Sequence, residues 1–342
     1  MGLFESLMPL SDFREGGYLR FSGKELECLS YEVVLSDSAG TVVDSKKLSK
    51  RLQSANVERN EIEDESGLRG VLFKPKGSGP FPSIIDILGT GGGLSEHRAA
   101  ALASEGFCVL VIAYFQYKDL TKNMHNVELD YFINAVNWMT SRSFTTEKVG
   151  LHGSSFGGMM VLILAKHCPQ VAAVVSINPP HVMNNFAHIK NKGAPFPHAS
   201  VDPRTFDFRG NILIYDKAVQ TLEVTEDNDH HFEQIPAHID VRFVVSMDDL
   251  STSSIYSTRF ITEKLHSTGH YVDYDCVVGG HIMEPPYFPF HEYCFSRLAG
   301  CFMAYGGEPS AHVISEYKAW NNTINFFKNR IAVDQKSVVS KL

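Results

Sequence analysis

The apolar and polar positions of the chain change their pattern near residue 82. Beyond it, short continuous apolar runs alternate with segments in which apolar residues recur every three or four positions. Continuous runs are typical of fully buried strands, and the longer period is typical of helices that bury one face. This alternation predicts a mostly parallel sheet with helices on both faces, which is an α/β fold.

The pattern locates the individual elements. The predicted strands cover residues 83–88, 107–113, 149–151, 171–177, 241–246 and 271–278. The predicted helices cover residues 96–105, 128–140, 156–166, 257–266 and 311–331. Residues 178–240 break the rhythm with several prolines and an acidic run, which predicts a loop-rich excursion of the kind that covers an active site.

The first 75 residues have a different character. An alternating segment at 31–41 closes in an Asp/Gly turn, polar sequence follows, and residues 70–75 form another predicted strand. This predicts a small β-rich region over 1–75 that is too short to bury a core alone. The α/β domain is predicted over 76–333, followed by a tail over 334–342.

A candidate nucleophile lies at the turn after the strand 149–151. The pentapeptide Gly153-Ser154-Ser155-Phe156-Gly157 matches G-x-S-x-G, the sequence of a strained strand-to-helix turn that exposes its central serine. The flanking glycines are needed there because a Cβ atom would collide with neighbouring backbone. The next helix points its N-terminus at Ser155, so the amide of Phe156 is a candidate oxyanion donor.

Two downstream residues complete a candidate catalytic set. A serine nucleophile needs a histidine base and a carboxylate to orient that histidine, in the chain order Ser, Asp, His on this type of fold. Asp249 follows the strand 241–246, and His281 follows the strand 271–278. Because the carboxyl ends of parallel strands gather at one edge of a sheet, both are placed to reach Ser155.

Other residues compete for these roles. Asp248 could replace Asp249 as the carboxylate. Among the 15 histidines, His152 is expected to pack beneath the serine turn instead of reaching over it. His97 and the pair His230-His231 are further candidates for the base. The histidines of the excursion at 178–240 could line a pocket, but they lack the spacing with neighbouring carboxylates that a zinc site requires.

A glycine-rich loop supplies the candidate for the second oxyanion donor. Gly89-Thr90-Gly91-Gly92-Gly93 follows the strand 83–88, and glycine lets a backbone approach a substrate closely. The amides of Gly91 and Gly92 are therefore candidate donors. A dinucleotide-binding loop is the competing interpretation, but the G-x-G-x-x-G spacing with a later acidic residue is not met.

Composition and charge exclude several classes. The net charge is −8 and the basic residues are scattered, which excludes a nucleic-acid footprint. Six widely spaced cysteines without a C-x-x-C pair favour free thiols in a reducing compartment. The N-terminus lacks a signal peptide pattern, and the longest apolar run is far too short to span a bilayer.

The C-terminus carries a targeting signal. Ser340-Lys341-Leu342 is the tripeptide that the peroxisomal import receptor reads at a free carboxylate. The sequence therefore predicts a peroxisomal location with that receptor as a partner; the alternative is a cytoplasmic protein with a chance polar tail.

Several segments together resemble one protein family. They are residues 86–98 (DILGTGGGLSEHR), 113–115 (AYF), 153–157 (GSSFG), 281–289 (HIMEPPYFP) and 306–309 (GGEP). These segments resemble the type I acyl-CoA thioesterase and bile acid-CoA:amino acid N-acyltransferase family. The resemblance implies an α/β-hydrolase fold, an acyl-CoA substrate, no cofactor or metal, and a triad on Ser155, Asp249 and His281.

The chain departs from the family pattern in two respects. The family carries a complete β-sandwich before the hydrolase domain, and here that region is reduced. Members that conjugate amino acids have cysteine at the nucleophile position, whereas this chain has Ser155. Because water attacks an acyl-serine ester readily while a thioester favours aminolysis, the serine favours hydrolysis.

The sequence therefore predicts an acyl-CoA thioesterase that releases a free fatty acid and CoA. An acyl-CoA:amino acid N-acyltransferase, a carboxylesterase or dienelactone-hydrolase-like enzyme, and a catalytically inactive binding protein remain alternatives. Arg98, Lys118 and Lys122 are candidate partners of the CoA phosphates or, equally, solvated surface charges.

Overall fold

The strands and helices follow from a computed structural model, which describes residues 17, 26 and 29–331. The strands, in chain order, are β1 (Leu29–Ser36), β2 (Val42–Lys50), β3 (Val57–Glu63), β4 (Arg69–Pro75), β5 (Phe81–Ile87), β6 (Cys108–Ala113), β7 (Thr145–Ser154), β8 (Val171–Ile177), β9 (Lys190–Asn191), β10 (Ala194–Pro195), β11 (Asp207–Arg209), β12 (Ile212–Ile214), β13 (Asp240–Ser246), β14 (Val272–Val277), β15 (Tyr293–Ser296) and β16 (Cys301–Ala304). The helices are α1 (His97–Ser104), α2 (Leu129–Thr140), α3 (Phe156–His167), α4 (Asp216–Gln220), α5 (Ser254–Ser267) and α6 (Pro309–Arg330).

The fold is organised around an eight-stranded sheet. Its spatial order is β14-β13-β8-β7-β5-β6-β4-β3. The pairs β3–β4 and β4–β6 are antiparallel, and the other neighbouring strands are parallel. The mostly parallel sheet that the sequence predicts is therefore confirmed.

Apolar side chains cover both faces of this sheet. Helices α2, α3 and α5 pack on one face, with Phe132, Leu164 and Leu265 among their buried residues. Helices α1 and α6 pack on the other, with Leu102 and Phe327 buried there. Since each face is sealed by helices, the central strands consist of continuous apolar runs, such as the fully buried CVLVIA of β6.

Several strands are not indicated by the sequence pattern, because they lie at exposed positions or in a separate small sheet. Strand β3 is the edge of the large sheet and β2 forms a separate hairpin with β1, so both carry many exposed polar residues. The short strand β15 belongs to a second sheet with β16, whose strand order is β11-β12-β16-β15. This small sheet joins the excursion at 178–240 to the segment after His281.

The large sheet also bears on the expected division of the chain. Strands β3 and β4 lie in the same sheet as β5, so the expected boundary between residues 75 and 76 falls between two strands of one sheet. The predicted tail over 334–342 lies outside the described residues. Among the helices that the structure describes, none is both long and apolar enough to cross a membrane.

A buried charged cluster lies under the sheet at its centre. The Asp86 carboxylate accepts hydrogen bonds from the Arg98 guanidinium at 3.0 Å and from Nδ1 of His152 at 2.7 Å. Burial alone would raise the pKa of Asp86, but the charge of Arg98 and the hydrogen bond from His152 hold that pKa below its usual value. The cluster ties α1 to β5 and β7.

Removing Arg98 tests how much the fold depends on this cluster. Arg98→Met leaves the Asp86 charge buried without its cation, so we expect a loss of about 3–5 kcal/mol in the free energy of unfolding. Denaturant unfolding measures it. The matched control is Arg259→Met, which breaks an exposed pair with Glu263 and should lose about 0.5 kcal/mol or less. Equal losses in the two variants would contradict the prediction.

Candidate active site

Ser155 lies on a strained turn between β7 and α3. Its φ is 59° and its ψ is −126°, a conformation that L-residues rarely adopt. A Cβ atom at Gly153 would lie 2.2 Å from the Gly157 carbonyl oxygen, and one at Gly157 would lie 2.1 Å from the Ile87 carbonyl oxygen. Only glycine fits at these two positions, so the pentapeptide has the geometry expected of a nucleophile elbow.

Asp249 and His281 are in direct contact. Nδ1 of His281 lies 2.8 Å from Oδ2 of Asp249, and both side chains are buried. The other carboxylate oxygen of Asp249 accepts backbone N–H groups of Ser251 and Thr252, each at 2.8 Å. Ser254 donates its hydroxyl to Oδ2. Because both oxygens of this carboxylate accept hydrogen bonds, its position is fixed, and it in turn fixes the orientation of the His281 imidazole.

The rival residues lie elsewhere. Asp248 is exposed, and its carboxylate accepts the backbone N–H of Gly307. His152 is buried beneath the turn on Asp86, as the sequence predicts. His97 contacts Glu284 through Nε2 at 2.7 Å. None of these three side chains meets Ser155 in the cavities described below.

The glycine-rich loop approaches the serine through its first residue. A Cβ atom at Gly89 would lie 2.9 Å from Cβ of Ser155, and the Tyr114 hydroxyl donates to the Gly89 carbonyl at 2.7 Å. Sequence reasoning missed this close approach, although the place of Gly89 just after β5 was a usable signal. Gly91 lines a cavity with Ser155, whereas a Cβ atom at Gly92 would approach Gln116.

Ser155 lines two adjoining cavities. The smaller has a volume of about 50 Å³ and is also lined by His281, Gly89 and Gly91. The larger has a volume of about 380 Å³ and extends beneath the excursion at 178–240. Its apolar lining comprises Phe156, Met159, Pro180, Val182, Met183, Phe186, Ala187, Phe206, Phe208, Leu213, Val219, Leu298, Ala299 and Met303.

The lining of both cavities is free of charged lysine, arginine, aspartate and glutamate side chains among the described residues. Strands β11, β12, β15 and β16 contribute to the large cavity through residues such as Phe208, Leu213 and Cys301. The small second sheet is therefore a wall of this cavity. Its pairing joins segments that are distant in the chain, so the sequence pattern did not reveal the wall.

The three candidate phosphate partners have different environments. Arg98 is 1% exposed and bonded to Asp86, so it is neither a surface charge nor accessible to a phosphate. The ammonium of Lys118 contacts Glu61 at 2.9 Å and also Glu63. Lys122 is exposed. The expectation for Arg98 is therefore wrong, because its charge belongs to the cluster beneath the sheet.

Buried ionisable groups hold the loop that carries His281. Gly280 donates its N–H to Nδ1 of His312 at 3.0 Å, and Nε2 of His312 lies 3.0 Å from the Glu316 carboxylate. Glu316 also accepts the N–H of Glu284 at 3.0 Å. Burial raises the pKa of Glu316. Burial would do the same for Glu284, but the adjacent His97 draws the pKa of Glu284 well below its usual range.

Within the part of the chain that the structure describes, no group of three His, Cys, Asp or Glu side chains is arranged to hold a metal ion. The ionisable groups around His281 instead bond to one another and to backbone. The site thus combines a half-buried serine, a buried histidine–carboxylate pair and an apolar cavity.

Comparison with family models assigns the chain. Residues 127–333 match the model described as BAAT / Acyl-CoA thioester hydrolase C terminal. The chain belongs to this family. The matched region runs from just before α2 to just beyond the end of α6, and it contains Ser155, Asp249 and His281.

Curated relatives agree with this assignment. Human acyl-coenzyme A thioesterase 1 is 33% identical over 80% of this chain and 66% of its own length. The mouse peroxisomal succinyl-coenzyme A thioesterase is 32% identical over 77% of this chain and 63% of its own length. Mouse acyl-coenzyme A amino acid N-acyltransferase 2 is 31% identical over 97% and 80%. The chain thus spans less than two thirds of the two thioesterases.

A solved structure supports the fold. The α/β-hydrolase GrgF from Penicillium sp. sh18 aligns with a TM-score of 0.50 at 13% sequence identity, covering 81% of this chain and 99% of that one. At this identity the likeness concerns the fold alone. Together with the sheet order, it confirms the α/β-hydrolase fold.

The contact between His281 and Asp249 predicts that the Asp249 carboxylate, and not that of Asp248, supports the reactivity of Ser155. Asp249→Asn presents an amide N–H to Nδ1 of His281 and favours the wrong tautomer, so labelling of Ser155 by a fluorophosphonate should slow by about 10⁴-fold. The labelling rate is followed by mass spectrometry of the intact protein. Asp248→Asn is the matched control and should stay within about threefold of wild type, because its side chain faces Gly307. The reverse order of the two variants would exclude Asp249.

Proposed function

We propose that the protein is an acyl-CoA thioesterase that uses Ser155, His281 and Asp249 as a catalytic triad. The observation that carries the proposal is that Ser155 and His281 line the same small cavity and that Ser155 also lines the adjoining apolar cavity. The chain belongs to the BAAT / Acyl-CoA thioester hydrolase family, and this membership supports the same reaction.

The first half of the reaction acylates the serine. Nδ1 of His281 faces Asp249, which leaves Nε2 to accept the proton of the Ser155 hydroxyl. The serine oxygen attacks the thioester carbonyl carbon, and the carbon–sulfur bond breaks. His281 returns its proton to the departing CoA thiolate. An acyl-serine ester and free CoA result.

The oxyanion of each tetrahedral intermediate needs hydrogen-bond donors. The amide of Phe156, at the N-terminus of α3, is the first donor in our proposal. The second comes from the glycine-rich loop, with Gly91 favoured over Gly92 because Gly91 lines the cavity of Ser155 and His281. Water then attacks the ester with His281 as base and releases the free acid, without a cofactor.

The large cavity favours an apolar acyl group. Its lining is dominated by aliphatic and aromatic side chains, and it holds no described lysine or arginine to neutralise a second carboxylate. Burial of methylene groups contributes about 0.8 kcal/mol each. We therefore propose fatty acyl-CoA as the substrate class, in preference to dicarboxylic acyl-CoA.

The lining also favours water over an amino acid as the acyl acceptor. Glycine and taurine both carry an anionic group, and burying an anion without a cation is strongly unfavourable. The described residues around Ser155 and His281 include no lysine or arginine that could bind that group. This supports hydrolysis, as does the serine nucleophile.

Product analysis tests the reaction. With palmitoyl-CoA, the full chain should release CoA thiol and palmitic acid, and Ser155→Ala should lose at least about 10³-fold in kcat/KM. Succinyl-CoA should be the poorer substrate. Adding glycine or taurine should leave free acid as the main product. Predominant amide would replace the proposal by the N-acyltransferase, and cleavage of simple esters alone would replace it by a carboxylesterase.

We further propose import into peroxisomes through Ser340-Lys341-Leu342, which lies outside the described residues. The name of the mouse relative supports this compartment. Deleting the three residues from a fluorescent fusion that preserves the C-terminus should move the protein from peroxisomes to the cytosol, as fluorescence microscopy would show.

The matched control for the deletion changes the tail but keeps the final tripeptide. In it, Ser337 and Val338 are both replaced by alanine, and this variant should stay in peroxisomes. Retention of the deletion variant in peroxisomes would exclude the tripeptide as the signal.

A further inference from the structure

Asn178 connects the three segments that carry the proposed triad. It follows β8, and its backbone N–H donates to the Val244 carbonyl at 3.0 Å, which continues the hydrogen bonding between β8 and β13. The carbonyl of the preceding residue, Ile177, accepts the N–H of Ser155 at 2.8 Å. The backbone at the end of β8 is thus fixed to the strand that leads to Asp249 and to the turn that carries Ser155.

The side chain of Asn178 makes the third connection. Oδ1 accepts the N–H of Ser246 at 2.8 Å, and Nδ2 donates to the Ser246 hydroxyl at 2.9 Å and to the His281 carbonyl at 2.7 Å. Because the Ser246 N–H can only donate and the His281 carbonyl can only accept, these partners fix which end of the amide faces each segment.

The backbone conformation of Asn178 is unusual for a buried residue. Its φ is 48°, in the left-handed region, and the side chain is fully buried. Asparagine tolerates this region better than most residues, but holding it there still costs free energy. This backbone conformation places the side chain at the edge of the sheet, where it contacts Ser246 and the His281 carbonyl.

We propose that Asn178 is a positioning residue that sets the placement of His281 relative to Ser155 and Asp249. This inference rests on the proposed function, because it assigns a role in the same reaction. Asn178 is not among the residues that line either cavity, so it acts through the backbone of His281 and through Ser246, three residues before Asp249.

The role predicts a specific kinetic signature. Asn178→Gly removes the side chain and relieves the left-handed strain, so this variant should fold. Asn178→Asp keeps the shape but sets a carboxylate oxygen against the His281 carbonyl. Because a small misplacement of a catalytic group is costly, we expect kcat to fall by about 10- to 100-fold in both variants. KM should stay within about twofold of wild type, since the acyl cavity is intact.

A matched control separates positioning from stability. Thr145 is also buried and donates its hydroxyl to the Met139 carbonyl at 2.7 Å, at the opposite end of β7 from Ser155. Thr145→Ala should lower the melting temperature and leave kcat within about twofold of wild type. If folded Asn178→Gly, with a native near-UV spectrum, has wild-type kcat, Asn178 is merely structural and the proposal is overturned.

Fluorophosphonate labelling distinguishes failure of this proposal from failure of the proposed function. Labelling reports the reactivity of Ser155 without reference to the natural substrate. If wild type is labelled but does not cleave acyl-CoA, the thioesterase proposal fails, and a slower labelling of Asn178→Gly still supports the positioning role. Equal labelling of the two overturns it. If wild type is not labelled at all, both proposals fail.

Discussion

The close approach of backbone around Ser155 is the constraint on which the site depends. Gly153 and Gly157 leave so little room between β7, α3 and the end of β5 that an added Cβ atom would lie 2.1–2.2 Å from a carbonyl oxygen. This contact holds the serine at a positive φ and partly exposed above the sheet. Every other group of the site is positioned relative to that turn.

Buried ionisable groups fix the remaining geometry because a buried charged or polar group is costly without a hydrogen-bond partner. Asp86 with Arg98 ties α1 beneath the sheet, whereas Glu316 with His312 holds the segment before His281. These pairs do not line either cavity of Ser155. Because these groups are buried away from water, each must keep its hydrogen-bond partner, and the segments that carry the partners are therefore held in place.

Local rules in the sequence predict two features that the structure shows, the strained turn at Ser155 and the contact of Asp249 with His281. The elbow follows from a short motif, and Asp249 and His281 follow from strand ends in the required order. The approach of Gly89, the small second sheet and the supports from His312 and Glu316 did not emerge. They depend on contacts between segments far apart in the chain, such as the pairing of β12 with β16. The local periodicity of apolar residues does not indicate such pairing.

The small second sheet connects the large cavity to the backbone of His281, the proposed base. Met303 and Ser296 line both the small cavity of His281 and the large apolar cavity. The N–H of His281 donates to the carbonyl of Tyr305, two residues after Met303. The wall of the large cavity and the backbone of His281 are therefore parts of one hydrogen-bonded unit. In the proposed reaction, an acyl group that displaces this wall would also displace His281, so the shape of the cavity would affect the rate as well as substrate binding.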